Sequence, residues 1–274
     1  MILRIGTSGY SYKEWKGVFY PEDLKPADML SYYAARLGTV EINNTFYHMP
    51  TPKVLEGWAS QVPETFRFVL KTSQKITHYK RLKGVEEETE YVVRMSRMLG
   101  ARLGALLVQI PPNLSRDDER LSAFLGLVSG VGMDAEGERV QGRTIASPVR
   151  VAFEVRHPSW LEPEVFALLE KHGVALVASQ TDEEPEPRLV RTAPWGYLRL
   201  RKTSYTPAEI AEWSRRIADQ QWDEAFVFFK HEQIGPDLAQ QLSAAASGAP
   251  KIRAAHTKRV EGGGKQKAAK SARG

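Results

Sequence analysis

Val151-Ala-Phe-Glu-Val-Arg-His157 is the stretch on which the reading of the fold turns. It is rich in β-branched and aromatic residues, and its character alternates: Phe153 and Val155 fall on one face, Glu154 and Arg156 on the other. A strand with one apolar face and a polar C-terminal end packs against helices on one side and aims charge to the other. Working outward, similar runs occur at 2–7, 40–43, 66–71, 105–110, 174–179, 197–201 and 225–230, which makes eight strands with 151–156. Helical stretches separate them. Pro26 opens one whose Met29, Leu30, Tyr33, Ala34 and Leu37 share a face, with Gly38 as its stop. Ser115 with Asp118, and Thr206 with Glu209 behind Pro207, have capping-box spacing; Pro163 and Gly173 bracket a further helix, and Gly235-Pro236 introduces the last. Strand then helix, repeated eight times in about 250 residues, is the pattern of an α/β protein with a (β/α)8 TIM-like barrel.

The pattern is imperfect between strands six and seven, where Pro185, Pro187 and Pro194 leave no convincing helix in 181–196. A Gly-rich polar stretch over 130–149 reads as a long excursion before the fifth strand. An open doubly wound sheet is the competing fold, but no Gly-x-Gly-x-x-Gly turn follows the first strand.

Of 274 residues, 42% are hydrophobic and 26% charged, and none is cysteine, which removes disulfides, thiolate metal sites and cysteine nucleophiles together. No apolar run is long enough to span a bilayer, so no membrane partner is expected. Met1-Ile-Leu-Arg-Ile-Gly6 lacks the layout of a signal peptide, and a cytoplasmic location is the default expectation. The net charge of +5 is unevenly divided: residues 251–274 hold eight basic residues against Glu261, or +7, and residues 1–250 carry −2. With Gly262-Gly-Gly264 and no apolar period, 251–274 reads as a basic, disordered tail on a single barrel domain over 1–250.

In such a barrel the active site lies where strands end and βα loops begin, and the polar residues collect there. Thr7, Ser8 and Tyr10 follow strand one; Glu41, Asn43 and Asn44 lie on or after strand two; Lys71, Thr72 and Ser73 follow strand three. Gln109 ends strand four, Glu154, Arg156 and His157 close strand five, and Gln180 and Asp182 lie past strand six. Arg199, Arg201 and Lys202 end strand seven, and Lys230, His231 and Glu232 end strand eight. Alternation puts Glu41 with Asn43, and Glu154 with Arg156, into the barrel mouth.

Gly6-Thr-Ser-Gly9-Tyr-Ser-Tyr12 leads to Trp15 and Phe19-Tyr-Pro21, and is followed by Val40-Glu-Ile-Asn-Asn-Thr-Phe-Tyr47 and by Ile76-Thr-His78 with Arg81-Leu82. Gln109-Ile-Pro-Pro112 and Phe153-Glu-Val-Arg-His157 with Ser159-Trp160 complete the ordered set. Together these blocks carry a resemblance to the YecE-like family, the domain of unknown function numbered seventy-two. The resemblance covers roughly residues 2–245 and implies a (β/α)8 barrel, but no established reaction. Arg199-Leu-Arg-Lys202 stands where the family usually has Arg-Leu-His-Gly, and Phe229-Lys-His-Glu232 replaces an Asn-rich ending.

Glu41 and Glu154 are the candidate catalytic acid/base pair, since two carboxylates in one mouth divide those roles when their environments separate their pKa values. The competing reading makes Glu154 a structural ion-pair partner of Arg156 or Lys71. Candidate substrate-binding residues are Tyr10, Asn43, Lys71, Gln109, Arg156, His157, Arg199 and Arg201; their cationic members suit a phosphate or carboxylate. His78, Tyr79, Lys80 and Arg81 interleave basic and aromatic groups as single-stranded nucleic-acid sites do, although a solvated basic loop uses the same residues. Six histidines show no metal-ligand spacing; a divalent metal held by Glu41, Glu154, His157 and Glu232 is unsupported by any motif, and no cofactor is specified. No nucleophile elbow or Walker loop is present.

Three functions follow as expectations. The first is an enzyme acting on an anionic ligand, a phosphorylated sugar or nucleic-acid fragment, at the C-terminal mouth. The second is a non-catalytic barrel that holds nucleic acid with its mouth and tail. The third, glycoside hydrolysis, is disfavoured because strands two and five lie far apart around the barrel.

Overall fold

The computed structural model describes residues 1–129 and 149–248. The basic stretch 251–274, and all of the expected excursion but Val149, therefore lie outside the described residues. The strands are β1 (Ile2–Ser8), β2 (Thr39–Ile42), β3 (Arg67–Lys71), β4 (Leu103–Gln109), β5 (Val151–Glu154), β6 (Ala175–Gln180), β7 (Trp195–Leu200) and β8 (Glu224–Phe229). All pair in parallel with their sequence neighbours, and β8 pairs with β1 from Ile2 opposite Glu224 to Thr7 opposite Phe229, closing the barrel. The helices are α1 (Met29–Ala34), α2 (Pro52–Ser60), α3 (Glu86–Ser96), α4 (Asp118–Ser129), α5 (Pro163–Lys171), α6 (Pro207–Ala218) and α7 (Gly235–Ala246). Each of the eight expected strands is present, with ends moved by up to two residues.

Pro26–Asp28 forms a 3-10 turn leading into α1, so the apolar face read from Met29 onward is the one buried. Thr206 and Glu209 form the expected capping box. The cap of α4 differs: Asp117 Oδ1, not Ser115, accepts from the Arg120 amide at 2.9 Å. Asp at that position satisfies an amide that would otherwise lack a partner. No helix joins β6 to β7. Buried Thr192 stands in for one, its hydroxyl accepting from the Leu176 amide (2.8 Å) and donating to the Val174 carbonyl (2.7 Å).

Strand alternation divides the core into two layers. Outward residues such as Val40, Ile42, Phe68, Leu70, Phe153, Leu198 and Phe229 join the helices in one large cluster. Inward residues form a second cluster, in which small side chains of β4, β5 and β6 (Ala105, Ala152, Ala175) face large ones of β7 and β8 (Trp195, Tyr197, Phe226, Phe228). Phe226 stacks against both Tyr197 and Phe228, with centroids 6.3 Å away in each case; such pairs contribute about 0.5–1.5 kcal/mol each beyond burial. Gly6 on β1 is required by close approach, since a Cβ there would lie 2.0 Å from the Thr39 carbonyl oxygen. Among the described residues no helix is long and apolar enough to cross a membrane.

Candidate functional site

Above the inward aromatic layer the alternation continues with polar groups. Register places Ser8 opposite Glu41, Gln109 opposite Glu154, and Ser179 opposite Arg199, so six strands contribute to one level of the barrel. Glu41, Glu154 and Arg199 are buried there. The guanidinium of Arg199 bridges the two carboxylates: Nη2 donates to Glu41 Oε1 at 2.8 Å and Nη1 to Glu154 Oε2 at 2.7 Å. The carboxylates of β2 and β5 are thus brought together by a residue of β7, which removes the distance argument drawn from strand order. Arg199 is the nearest ion-pair partner of Glu154, and the expected partner Arg156 pairs with it more loosely. Arg156 Nε stands 3.6 Å from Glu154 Oε1, beyond hydrogen-bond reach, and Lys71 pairs with no carboxylate among the described residues.

The two glutamates are unequally satisfied. Glu41 accepts four hydrogen bonds, from Ser8 Oγ (2.7 Å), Asn43 Nδ2 (3.1 Å), Arg199 and the Tyr197 hydroxyl (2.7 Å). Glu154 Oε1 is buried and accepts none. Facing it at 3.6 Å are Arg156 Nε and Arg201 Nη2. The Nε atoms of Arg199 and Arg201 are likewise buried and unpartnered. Buried polar groups in folded proteins are nearly always paired, so this cluster of unmade bonds is a feature to be explained.

Electrostatics set the protonation states. Burial pushes the Glu154 carboxyl up, but Arg199, Arg201 and Arg156 outweigh it and hold its pKa down at about 2. Burial likewise opposes Glu41, and Arg199 with the hydrogen bonds from Tyr197 and Ser8 lowers it. Arg199 is driven up by the two carboxylates against its own desolvation, and the buried Tyr197 hydroxyl is pushed well above its usual range by burial and by Glu41. Both glutamates are ionised at neutral pH. Lys71 moves the other way: burial first, then Arg199, lowers it to about 8, with Glu154 and Glu41 opposing. Its Nζ donates to Gln109 Oε1 at 2.9 Å and lies 4.3 Å from the Phe46 ring centroid.

Of the other expected residues, Asn43 and Gln109 join the mouth through Glu41 and Lys71, and Arg201 is steadied by Ser179 Oγ at 2.6 Å. Tyr10 turns away: it packs on the outer core cluster near Tyr33, and its carbonyl accepts from the Tyr20 hydroxyl. His157 is engaged locally, its Nδ1 bonded to Ser159 at the start of the Pro158–Trp160 turn. His78 sits edge-on to Phe46 and bonds Thr77 Oγ1, which brings it to the rim near Lys71. Lys80, with Lys75, pairs with Glu88 on α3, and Lys80 also donates to the Gly84 carbonyl. That part of the basic loop closes its own turn, where Arg81 and Leu82 take positive φ. Tyr79 is exposed. Among the described residues no three His, Asp or Glu side chains gather as a metal-holding group, and the set of Glu41, Glu154, His157 and Glu232 does not converge as one. An open cleft of about 550 Å³ adjoins the mouth, walled by Arg201, Lys202, Lys230 and His231 with Asp182 and Glu232.

Sequence reasoning left two participants without a role. Tyr197 lies two residues before Arg199 on one strand, so the same-face rule would have found it. Ser179, named only as a strand end, is the register partner of Arg199.

Fold and mouth together define a closed parallel (β/α)8 barrel with an ionic layer under its C-terminal opening. The chain belongs to the DUF72 family, whose model, described as "Protein of unknown function DUF72", matches residues 4–260. It is 36% identical over 131 residues to the UPF0759 protein YecE of Escherichia coli strain K12, an alignment spanning 47% of this chain and 45% of the relative. The chain therefore spans less than half the length of that curated relative. A DUF72 protein of Thermotoga maritima superposes with a TM-score of 0.70 at 24% identity, covering 90% of this chain and 100% of the other. One from Enterococcus faecalis gives 0.68 at 21% identity, covering 90% and 98%. At these identities the two structures speak to fold alone.

Proposed function

We propose that the mouth is the active site of an enzyme acting on a small anionic metabolite, most simply a phosphorylated sugar. The observation that carries this reading is the unpartnered Glu154 Oε1, buried between two guanidinium groups that stand too far away to bond it. The inner mouth holds Lys71, Arg156, Arg199 and Arg201 against Glu41 and Glu154, a cationic excess that suits a phosphate or carboxylate. The phosphate would lie toward the cleft beside Arg201 and Lys230, and a ligand hydroxyl would donate to Glu154 Oε1. Barrels often hold phosphate after strands seven and eight, which agrees with this placement.

On this reading the glutamates divide their work by hydrogen bonding. Glu41, fully engaged, fixes Arg199. Glu154 is the proton acceptor, a weak one while three guanidinium groups hold it near 2. An anion that draws Arg156 and Arg201 toward itself relieves that field, so ligand binding raises the Glu154 pKa toward useful basicity. Two ionised glutamates do not suit glycoside hydrolysis, which needs one carboxyl protonated. Binding of nucleic acid is also less favoured, because Lys75 and Lys80 are committed to Glu88.

Thermal-shift and calorimetric titration with inorganic phosphate, hexose phosphates, free hexoses and oligonucleotides test the proposal. Phosphorylated ligands should stabilise the protein, and Arg201→Ala should abolish the effect. Equal stabilisation by free hexoses, or salt-sensitive oligonucleotide binding unaffected by Arg201→Ala, would overturn it.

A further inference from the structure

Lys71 differs from the other cations of the mouth. Arg199 bridges two carboxylates, and Arg156 and Arg201 face Glu154. Among the described residues Lys71 has no carboxylate within ion-pair distance; its hydrogen-bond partner is the neutral amide of Gln109, and its amine lies against the face of Phe46. An ammonium group placed only for its charge would gain more from Glu41 on the neighbouring β2 or from Glu154 on β5. Gln109 fixes the direction of Nζ without holding its proton, and Phe46 screens it from water.

We infer that Lys71 is an amine nucleophile that forms a Schiff base with a carbonyl carbon of the anionic ligand. This rests on the active-site reading above and narrows the substrate to phosphorylated aldehydes and ketones. The Nζ lone pair attacks the carbonyl carbon, the C–N bond forms, and the carbonyl electron pair moves to oxygen, which takes a proton to give a carbinolamine. Nitrogen then sheds its extra proton to solvent, and the hydroxyl leaves with a proton as water. One molecule of water is released and no redox partner is needed; hydrolysis reverses the step and restores the amine.

The reactive form is the neutral amine, and the surroundings favour it. Burial and Arg199 lower the pKa of Lys71 to about 8, with Arg156 acting in the same direction and Glu154 and Glu41 opposing. His78, beside Phe46 on the rim, has its own pKa lowered by burial and by Lys71, and so adds little positive charge at neutral pH. Desolvated lysines next to other cations are the ones that serve as imine-forming nucleophiles.

The full chain is incubated with dihydroxyacetone phosphate and cyanoborohydride, which reduces an imine to a stable secondary amine, and the modified lysines are mapped by mass spectrometry. Lys71 should be labelled at least about tenfold faster than exposed Lys75, because burial and Arg199 favour its neutral amine. Inorganic phosphate should suppress that labelling, and Lys71→Arg should lose the adduct while still being stabilised by phosphate. If phosphate binds but Lys71 is labelled no faster than Lys75, the nucleophile is wrong and the anion site stands. If Lys71 reacts fast with dihydroxyacetone as well as with its phosphate, and phosphate does not protect, the amine is right and the anion site falls. If phosphate neither binds nor protects and Lys71 is slow, both fall.

Discussion

The barrel carries an ion cluster at each end, and they are built to different standards of completeness. At the N-terminal end Glu224 accepts from Arg4 at 2.7 Å and from Arg150, while Arg4 also donates to the Thr65 carbonyl and Arg67 to those of Glu64 and Phe66. No atom of that cluster is among the described buried groups lacking a partner. At the C-terminal end Glu154 Oε1, Arg199 Nε and Arg201 Nε all lack one, although this cluster is the more deeply buried. Desolvating charge without completing its hydrogen bonds costs stability. Where unpaired charge recurs in one ion cluster and is absent from the other, the incomplete cluster is the one arranged for something that arrives later.

The largest expected effect is at the centre of the incomplete cluster. Arg199→Met leaves two buried carboxylates facing each other and should lower unfolding free energy by about 3–5 kcal/mol at neutral pH, read by urea denaturation. Its pH dependence should invert. In the variant burial raises both glutamates, so stability should recover as pH falls. A variant as stable as the parent would mean that Arg199 is held by something other than its two partners.

The parent protein should show the opposite slope. Glu154 titrates at about 2 in the fold against an ordinary value of 4.5, a depressed pKa. Its contribution is present above 4.5 and disappears as pH falls toward 2. Lys71 is also depressed, from 10.5 to about 8. For a cation this means that folding disfavours the charged form, so stability should rise between pH 8 and 10.5, and Lys71→Met should remove that rise. Denaturation midpoints across pH 2–11, free of added phosphate, check both arms. A flat alkaline arm in the parent would place Lys71 in water.

Arg156→Ala separates ligand from scaffold. Its side chain is 33% exposed and makes no hydrogen bond with Glu154, so stability should change by under about 1 kcal/mol. Affinity for phosphate should fall about tenfold or more, the worth of one charge-assisted contact. If stability falls and affinity does not, the residue belongs to the scaffold and the contrast between the two ends weakens.

Much of the mouth was legible in the sequence because period two says which face a residue takes. Glu41 and Glu154 were read as inward, and Lys71, Gln109 and Arg199 as strand-end residues of the mouth; all five lie together there. What period two omits is pairing across the barrel. Arg199 and Glu41 are 158 positions apart and meet because β7 and β2 face each other through the interior, a fact of closure rather than of local pattern. Arg199 was therefore read as free to bind an anion when it is engaged twice over. The loop at 76–83 was incompletely legible for a related reason: Lys80 looked available until the first turn of α3 brought Glu88 against it. Tyr10 misled differently, because nothing in a strand–loop boundary says whether an aromatic folds over the mouth or back onto the helices.

The smallest effect on the mouth is expected from a change at the complete end, and it is the control for the rest. Glu224→Gln keeps the shape and removes the charge shared by Arg4 and Arg150. The Glu224 side chain is 10% exposed but Arg150 is 49% exposed, so water and salt replace much of what is lost. The cost should be about 1–2 kcal/mol, between a surface pair and a buried one. Phosphate affinity and Lys71 labelling should be unchanged, because the aromatic layer of Tyr197, Phe226 and Phe228 separates the two clusters. That comparison is the stringent one. If neutralising Glu224 alters ligand binding at the mouth, the ends communicate through the inward aromatic core, and completeness at one end could no longer be read independently of incompleteness at the other.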